Sequence, residues 1–161
     1  MKQLMTRSAM SKRIAFHEER CTSCNLCSMY CSLAFGEKGV HEFRPSIARI
    51  RLAINEDDTK YAAHVCLQCA DPACVEACPE GAIAKDGDTG VVIINDEICT
   101  GCGKCVKACE YGCVFLHNKV AVKCEVCYEP LCVRACARKA LELVDDDDVD
   151  EQAELYKEVR L

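Results

Sequence analysis

The stretch HVCLQCADPACVEACPEGAI, residues 64–83, decides how the rest of the chain is read. Its cysteines, Cys66, Cys69, Cys74 and Cys78, follow the spacing C-x2-C-x4-C-x3-C. Cysteines this close on a tight loop can aim their sulfurs at several corners of one small cube. The last two are four apart, about one helical turn. A turn leaving the loop therefore carries the fourth thiolate away from the first three and towards a neighbouring site. Pro79 follows Cys78 and, having no amide hydrogen, stops that turn.

The pattern recurs on both sides. CTGCGKCVKAC holds Cys99, Cys102, Cys105 and Cys109, and CTSCNLCSMYC holds Cys21, Cys24, Cys27 and Cys31, both as C-x2-C-x2-C-x3-C. CEVCYEPLCVRAC, with Cys124, Cys127, Cys132 and Cys136, repeats the longer spacing. The order short, long, short, long reads as an internal duplication of a two-motif unit. The shorter spacing is that of bacterial ferredoxins, in which three cysteines hold one [4Fe–4S] cube and the fourth ligates another. Sixteen of the 17 cysteines are placed in this way, enough thiolates for four [4Fe–4S] clusters. Thr22, Ser23, Thr100, Gly101 and Gly103 lie inside the loops. Their small size lets backbone amides approach the sulfurs, and such hydrogen bonds help set reduction potential.

Composition supports a metal scaffold. A length of 161 residues suits one compact domain or two small packed modules. Trp is absent and only four Phe and five Tyr are present, so little remains for an aromatic core. Cysteine at this density marks either disulfides or metal sites. The opening MKQLMTRSAMSKRIAF has no apolar run long enough for a signal-peptide core and no twin-arginine pair. The chain therefore reads as cytoplasmic, where thiols stay reduced and clustered cysteines serve as metal ligands. Structural zinc uses two CxxC pairs rather than runs of four. The net charge of -6 argues against nucleic acid. No stretch approaches the ~20 apolar residues of a membrane span. No P-loop, dinucleotide fingerprint or nucleophile–base pair stands apart from the cysteines, so no catalytic residue is expected.

Between the second and third motifs, PEGAIAKDGDTGVVIINDEI reads as a hairpin with its loop at Lys85–Gly90 and a strand at Val91–Ile94. This connection resembles that of a small two-cluster bacterial ferredoxin. The resemblance implies an inner module over 66–116, with one cluster on Cys66, Cys69, Cys74 and Cys109 and another on Cys99, Cys102, Cys105 and Cys78. The remaining groups would then pair around it, in an outer module of 12–65 plus 117–144. There Cys21, Cys24 and Cys27 join Cys136, while Cys124, Cys127 and Cys132 join Cys31. RIAFHE before the first motif and ALELV after the fourth would be its flanking strands. A rival pairing, first with second and third with fourth, follows the duplication order and stays open. The expected fold class is α+β: nested or tandem dicluster ferredoxin-like modules of short strands, hairpins and short helices.

Over residues 12–144 the chain resembles the four-cluster iron–sulfur subunits of molybdenum or tungsten oxidoreductases, certain hydrogenases and carbon monoxide dehydrogenases. The motif order and residues 64–83 carry most of the likeness. FRPSIARIRLAI, residues 43–54, is most similar to the small subunits of tungsten-dependent aldehyde oxidoreductases and to related benzoyl-CoA reductase components. The resemblance implies electron transfer between a large catalytic subunit and a flavin subunit or another carrier. A free polyferredoxin shuttle is the alternative, although the segments 32–65 and 145–161 exceed what a minimal carrier needs. The pattern departs from the family where Ser32, Glu110 and Ala137, rather than Pro, follow Cys31, Cys109 and Cys136. The chain is also shorter than typical dimethyl sulfoxide reductase electron-transfer subunits.

Cys113 is the spare thiol, read as a small buried hydrophobe with a redox or ligand role as the alternative. His17, His41, His64 and His117 read as surface residues or cluster neighbours, since the thiolate positions are filled. Ser46–Ile54 reads as a strand, with Arg44, Arg49 and Arg51 as a solvated face or a docking face for a partner subunit. In the tail, 145–161, the acidic run Asp145–Asp148 favours a helix start. Val149, Ala153, Tyr156 and Val159 would share one helix face. This segment is expected to be either a frayed acidic tail or a helix lying on a neighbouring subunit.

Overall fold

Among the described residues, four antiparallel pairs of short strands bracket the cysteine loops. The computed structural model describes residues 12–35, 43–57, 59–145 and 148–161. Strand β1 (Lys12–Phe16) pairs with β8 (Leu141–Asp145), running from Lys12 opposite Asp145 to Phe16 opposite Leu141. β2 (Arg51–Ile54) pairs with β3 (Tyr61–His64), β4 (Ile83–Lys85) with β5 (Val92–Ile94), and β6 (Phe115–His117) with β7 (Val120–Val122). The helices are α1 (Leu26–Phe35), α2 (Ala73–Glu76), α3 (Lys104–Ala108), α4 (Leu131–Ala135) and α5 (Asp150–Glu158). Each of α1 to α4 carries the third cysteine of its motif.

Turn chemistry fixes the hairpins. Between β4 and β5, the Asp86 carboxylate accepts bonds from the Asp88 and Thr89 amides and the Thr89 hydroxyl, closing an Asx-type turn. Between β6 and β7, Asn118 and Lys119 both take positive φ, 49° and 64°. A two-residue hairpin loop of this handedness matches the twist of its strands.

Small residues fill the interior. One apolar cluster joins Ile14, Phe16, Ile50, Ala62, Leu67, Leu141 and Tyr156 to the buried cysteines 31, 66, 113, 124 and 132. A smaller one holds Ile83, Val92, Val114 and Ala121 with Cys105. The aromatic-poor composition is thus met by packing alanines and thiols around the loops.

Two expectations need correction. The strand expected at Ser46–Ile54 is confined to Arg51–Ile54; Pro45–Ile47 forms a 3-10 turn, with Pro45 fixing φ and offering no amide. With Ser32 in place of Pro after Cys31, α1 runs on to Phe35. The tail is neither frayed nor free to lie on a neighbour with the face that its helical period predicts. Ala153, Tyr156 and Val159 are buried against this chain's own core. His41, Asp146, Asp147 and the opening residues 1–11 lie outside the described residues. Among the described residues, no helix is long and apolar enough to cross a membrane.

Candidate iron–sulfur sites

The four cysteine loops share one backbone device. The residue before the second cysteine has positive φ in every motif: Ser23 at 54°, Gln68 at 55°, Gly101 at 67° and Val126 at 51°. This left-handed step turns consecutive thiols to the same side. For Val126 it is a costly conformation, since a β-branched side chain is crowded there. Gly101 has a second reason to lack a side chain. A Cβ at that position would stand 2.1 Å from the Lys119 carbonyl oxygen in the β6–β7 turn.

Amide hydrogens converge on the sulfurs. Ser23 N–H donates to Cys21 Sγ at 3.4 Å, Arg49 N–H to Cys31 at 3.2 Å and Ala121 N–H to Cys99 at 3.4 Å. Ala82 N–H donates to Cys78 at 3.3 Å, and Ala140 N–H to Cys136 at 3.2 Å. The last two bonds span the same four residues, and Gly81 and Lys139 in front of them both take positive φ. The duplication read in the sequence therefore extends to the geometry.

The thiols gather in four neighbourhoods. Burial pushes Cys27 up to about 12, and the charges of Cys21, Cys24 and Cys136 add to it. Burial likewise pushes Cys132 up to about 12, with Cys31 and Cys127 adding, and raises Cys124, which feels Cys132 and Cys31. Cys74 is pushed up to about 11 by burial, then by Cys66, Cys109 and Cys69. Cys105 is raised by burial, then by Cys99 and Cys78. Cys102 faces the same hollow as Cys78, Cys99 and Cys105. Neighbourhoods also touch one another, since Cys132 feels Cys27 and Cys124 feels Cys66.

These surroundings fit iron–sulfur clusters. Cys21, Cys24, Cys27 and Cys136 stand round a cavity of about 240 Å³, walled by Phe16, Leu26, Leu52 and Leu141. Among the described residues, no three His, Cys, Asp or Glu side chains converge as ligands of a single ion would. A hollow with four thiols, apolar walls and inward amides supplies the thiolate ligation and sulfur hydrogen bonding that such clusters take.

Cys113 is buried beside this machinery. Its side chain shares a hydrogen with Cys109, a bond that outweighs burial and draws Cys109 down to about 6 while pushing Cys113 well up. Cys113 Sγ also lies 3.4 Å from the Val65 carbonyl oxygen. Of the histidines, His17 pairs with Glu142 at 3.2 Å. His64 is held between the Tyr111 and Val159 carbonyls and stacked on Tyr156. Arg44 is exposed, whereas Arg49 and Arg51 are half-buried against this chain's own side chains. Arg49 lies over the Phe35 ring at 3.7 Å and pairs with Glu125 at 3.2 Å, and Arg51 lies over Phe115 at 3.5 Å.

Sequence reasoning missed two residues. Lys123 is fully buried, its Nζ donating to the Val92 and Cys124 carbonyls. Gln68, also buried, donates to the Cys124 carbonyl at 2.8 Å and accepts from the Val92 amide at 2.9 Å. Together they tie the fourth cysteine loop to strand β5.

Fold and site define an iron–sulfur electron carrier of the ferredoxin type. Residues 58–146 match the 4Fe-4S dicluster domain, and the chain belongs to that family. It shares 41% identity with an uncharacterized ferredoxin of Methanocaldococcus jannaschii, over 69% of each protein. It is 35% identical to an uncharacterized ferredoxin-like protein of Escherichia coli, covering 87% of this chain and 68% of that one. The B subunit of the anaerobic dimethyl sulfoxide reductase of Haemophilus influenzae is 33% identical over 83% of this chain and 74% of its own length. An active-site complex of benzoyl-coenzyme A reductase superposes with a TM-score of 0.49 at 18% identity, over 89% of this chain and 86% of that one. The protein transfers electrons through [4Fe–4S] clusters and is not a catalyst on its own. The H. influenzae relative is, by its name, one chain of a reductase.

Proposed function

We propose that this chain holds four [4Fe–4S] clusters in a row and wires a catalytic subunit to a second redox partner. The proposed ligand sets are Cys21, Cys24, Cys27 and Cys136; Cys31, Cys124, Cys127 and Cys132; Cys66, Cys69, Cys74 and Cys109; and Cys78, Cys99, Cys102 and Cys105. One observation carries the reading: every fourth cysteine lies near the first three of another motif, so that α1, and each of α2 to α4 with the turn that follows it, serves two neighbourhoods. The pairing of β1 with β8 supports the outer module as a unit enclosing the inner one. Cys24 and Cys102, the two exposed thiols, fall in the first and last sets of the row. Electrons would enter and leave at those ends. Cubanes with four cysteine ligands offer no open position for substrate, so the clusters supply outer-sphere electron transfer. The chain's own residues bury them and donate to their sulfurs.

The partner we propose is a cytoplasmic molybdenum or tungsten oxidoreductase of the aldehyde-oxidising type, with a flavin subunit or another carrier at the far end. The likeness of residues 43–54 to tungsten enzyme small subunits favours it. A free ferredoxin shuttle is the second reading, favoured by the ferredoxin of M. jannaschii at 41% identity. Anaerobic purification under native conditions decides between them. About sixteen irons per chain with a large molybdenum- or tungsten-containing partner is the expected result. A lone chain with sixteen irons would establish the shuttle, and about eight irons would remove half of the proposed ligand sets.

A further inference from the structure

Among the described residues, Lys123 is a fully buried cation that electron transfer through the clusters leaves unexplained. Its side chain is 0% exposed. Its hydrogen bonds go to the carbonyls of Val92 and Cys124, and among the described residues no carboxylate pairs with it. The nearby Glu125 is already engaged, one oxygen on Arg49 and the other on the Ile94 amide at 2.8 Å. A buried ammonium without an anion is costly. The groups beside it that become anionic on binding iron are the cysteines of two loops, that of Cys124, whose carbonyl it bonds, and that of Cys66 and Cys69, which flank Gln68. Cys124 is the next residue in the chain, and Gln68 bonds to the same carbonyl as Lys123 does. Lys123 thus stands between the Cys66 and Cys124 loops, where the inner module meets the outer one.

We infer that the Lys123 ammonium is a built-in counter-charge for the two middle clusters, raising the reduction potential of the one on Cys66, Cys69, Cys74 and Cys109. The inference rests on the four-cluster reading given above. A cluster with four thiolates is anionic and becomes more so on reduction, so a fixed positive charge beside it favours the reduced form. Net charge is one of the protein's levers on cluster potential. A bolt that merely joined two loops could be neutral. Gln68 already bridges the Cys124 carbonyl and the Val92 amide there without charge.

The test is an anaerobic, EPR-monitored redox titration of the intact native protein, with iron counted in each sample. Lys123→Met removes the charge, and Lys123→Gln removes it while keeping a donor. The signal to follow is the one lost in Cys74→Ser. In both neutral variants its reduction equilibrium is expected to fall at least tenfold, which is 59 mV for one electron, with smaller changes at the two end clusters. Gln68→Ala, which deletes hydrogen bonds but no charge, should move it less. Full iron with an unchanged potential in the Lys123 variants overturns the inference. So does loss of clusters from both, which would assign Lys123 to folding alone. A wild-type protein with fewer than about sixteen irons defeats the underlying reading instead, whatever Lys123 does.

Discussion

Cys113 stands four residues after Cys109, as Ala82 stands after Cys78 and Ala140 after Cys136. In the other two places the side chain is a methyl group; here it is a thiol that can donate to the sulfur beside it. With Cys109 bound as a cluster ligand, that extra donor stabilises the reduced cluster. Cys113→Ala should therefore lower the potential of that cluster by roughly 20–40 mV, the equivalent of about 0.5–1 kcal/mol for one weak hydrogen bond. Cys113→Ser, which keeps a donor, should lie closer to wild type, and equal potentials in all three proteins would contradict the role. At this scale the sequence is an uneven guide. The sixteen motif cysteines announce themselves by spacing, because ligand geometry constrains intervals directly. Lys123 does not, since lysine is almost never fully buried and nothing in VAVKCEV marks it as an exception. The burial comes from β5 and the fourth loop closing over it, which is a tertiary event.

Helix α5 shows the same division at the scale of an element. The helical period of Val149, Ala153, Tyr156 and Val159 is readable; what the face packs against is not, because β3 lies ninety residues earlier in the chain. The Tyr156 hydroxyl donates to the Ala63 carbonyl at 2.7 Å and accepts from the Val65 amide at 3.0 Å and from Gln152 at 2.7 Å. Gln152 in turn accepts from Arg13 and from the Phe16 amide, so one helix clasps both β1 and β3. Tyr156→Phe should cost about 1–3 kcal/mol by leaving these buried partners unsatisfied. Tyr156→Ala should cost about 3–5 kcal/mol with its added cavity. Thermal unfolding of the cluster-loaded protein would measure both, and a melting point unmoved by the alanine would mean that α5 does not hold this position. The hairpin of β6 and β7 goes unread in the sequence, although the two-residue loop Asn118-Lys119 between FLH and VAV carries its signal. The expected strand over 46–50 fails because Pro45 and the burial of Ile47, Ala48 and Ile50 hold that segment in a turn against the core.

For the molecule as a whole, the thiols are chemically unready until the inorganic part arrives. Burial holds Cys27 and Cys132 at about 12 and Cys74 at about 11, so in the cluster-free fold they carry protons at neutral pH. Cluster formation must expel those protons. Each rise in pH below about 11 eases that step, so the yield of reconstitution from ferrous iron and sulfide should climb between pH 6 and 9. A yield independent of pH would show that proton release does not limit assembly. The duplication and the fold class are legible in the whole sequence because repeated spacing survives folding unchanged. Which motifs would exchange fourth cysteines, as proposed above, is legible only through resemblance, since a thiol's distant neighbours leave no mark on its local sequence. The pairing of β1 with β8 also sets an order of events on the ribosome. On the proposed ligand sets, residues 66–116 would emerge with all the thiols of two clusters, whereas Cys21, Cys24, Cys27 and Cys31 would wait until Cys124, Cys127, Cys132 and Cys136 have followed and Leu141–Asp145 has closed the outer sheet. On that reading the nascent chain would mature from its middle outwards, and its earliest cysteines would wait longest for their partners.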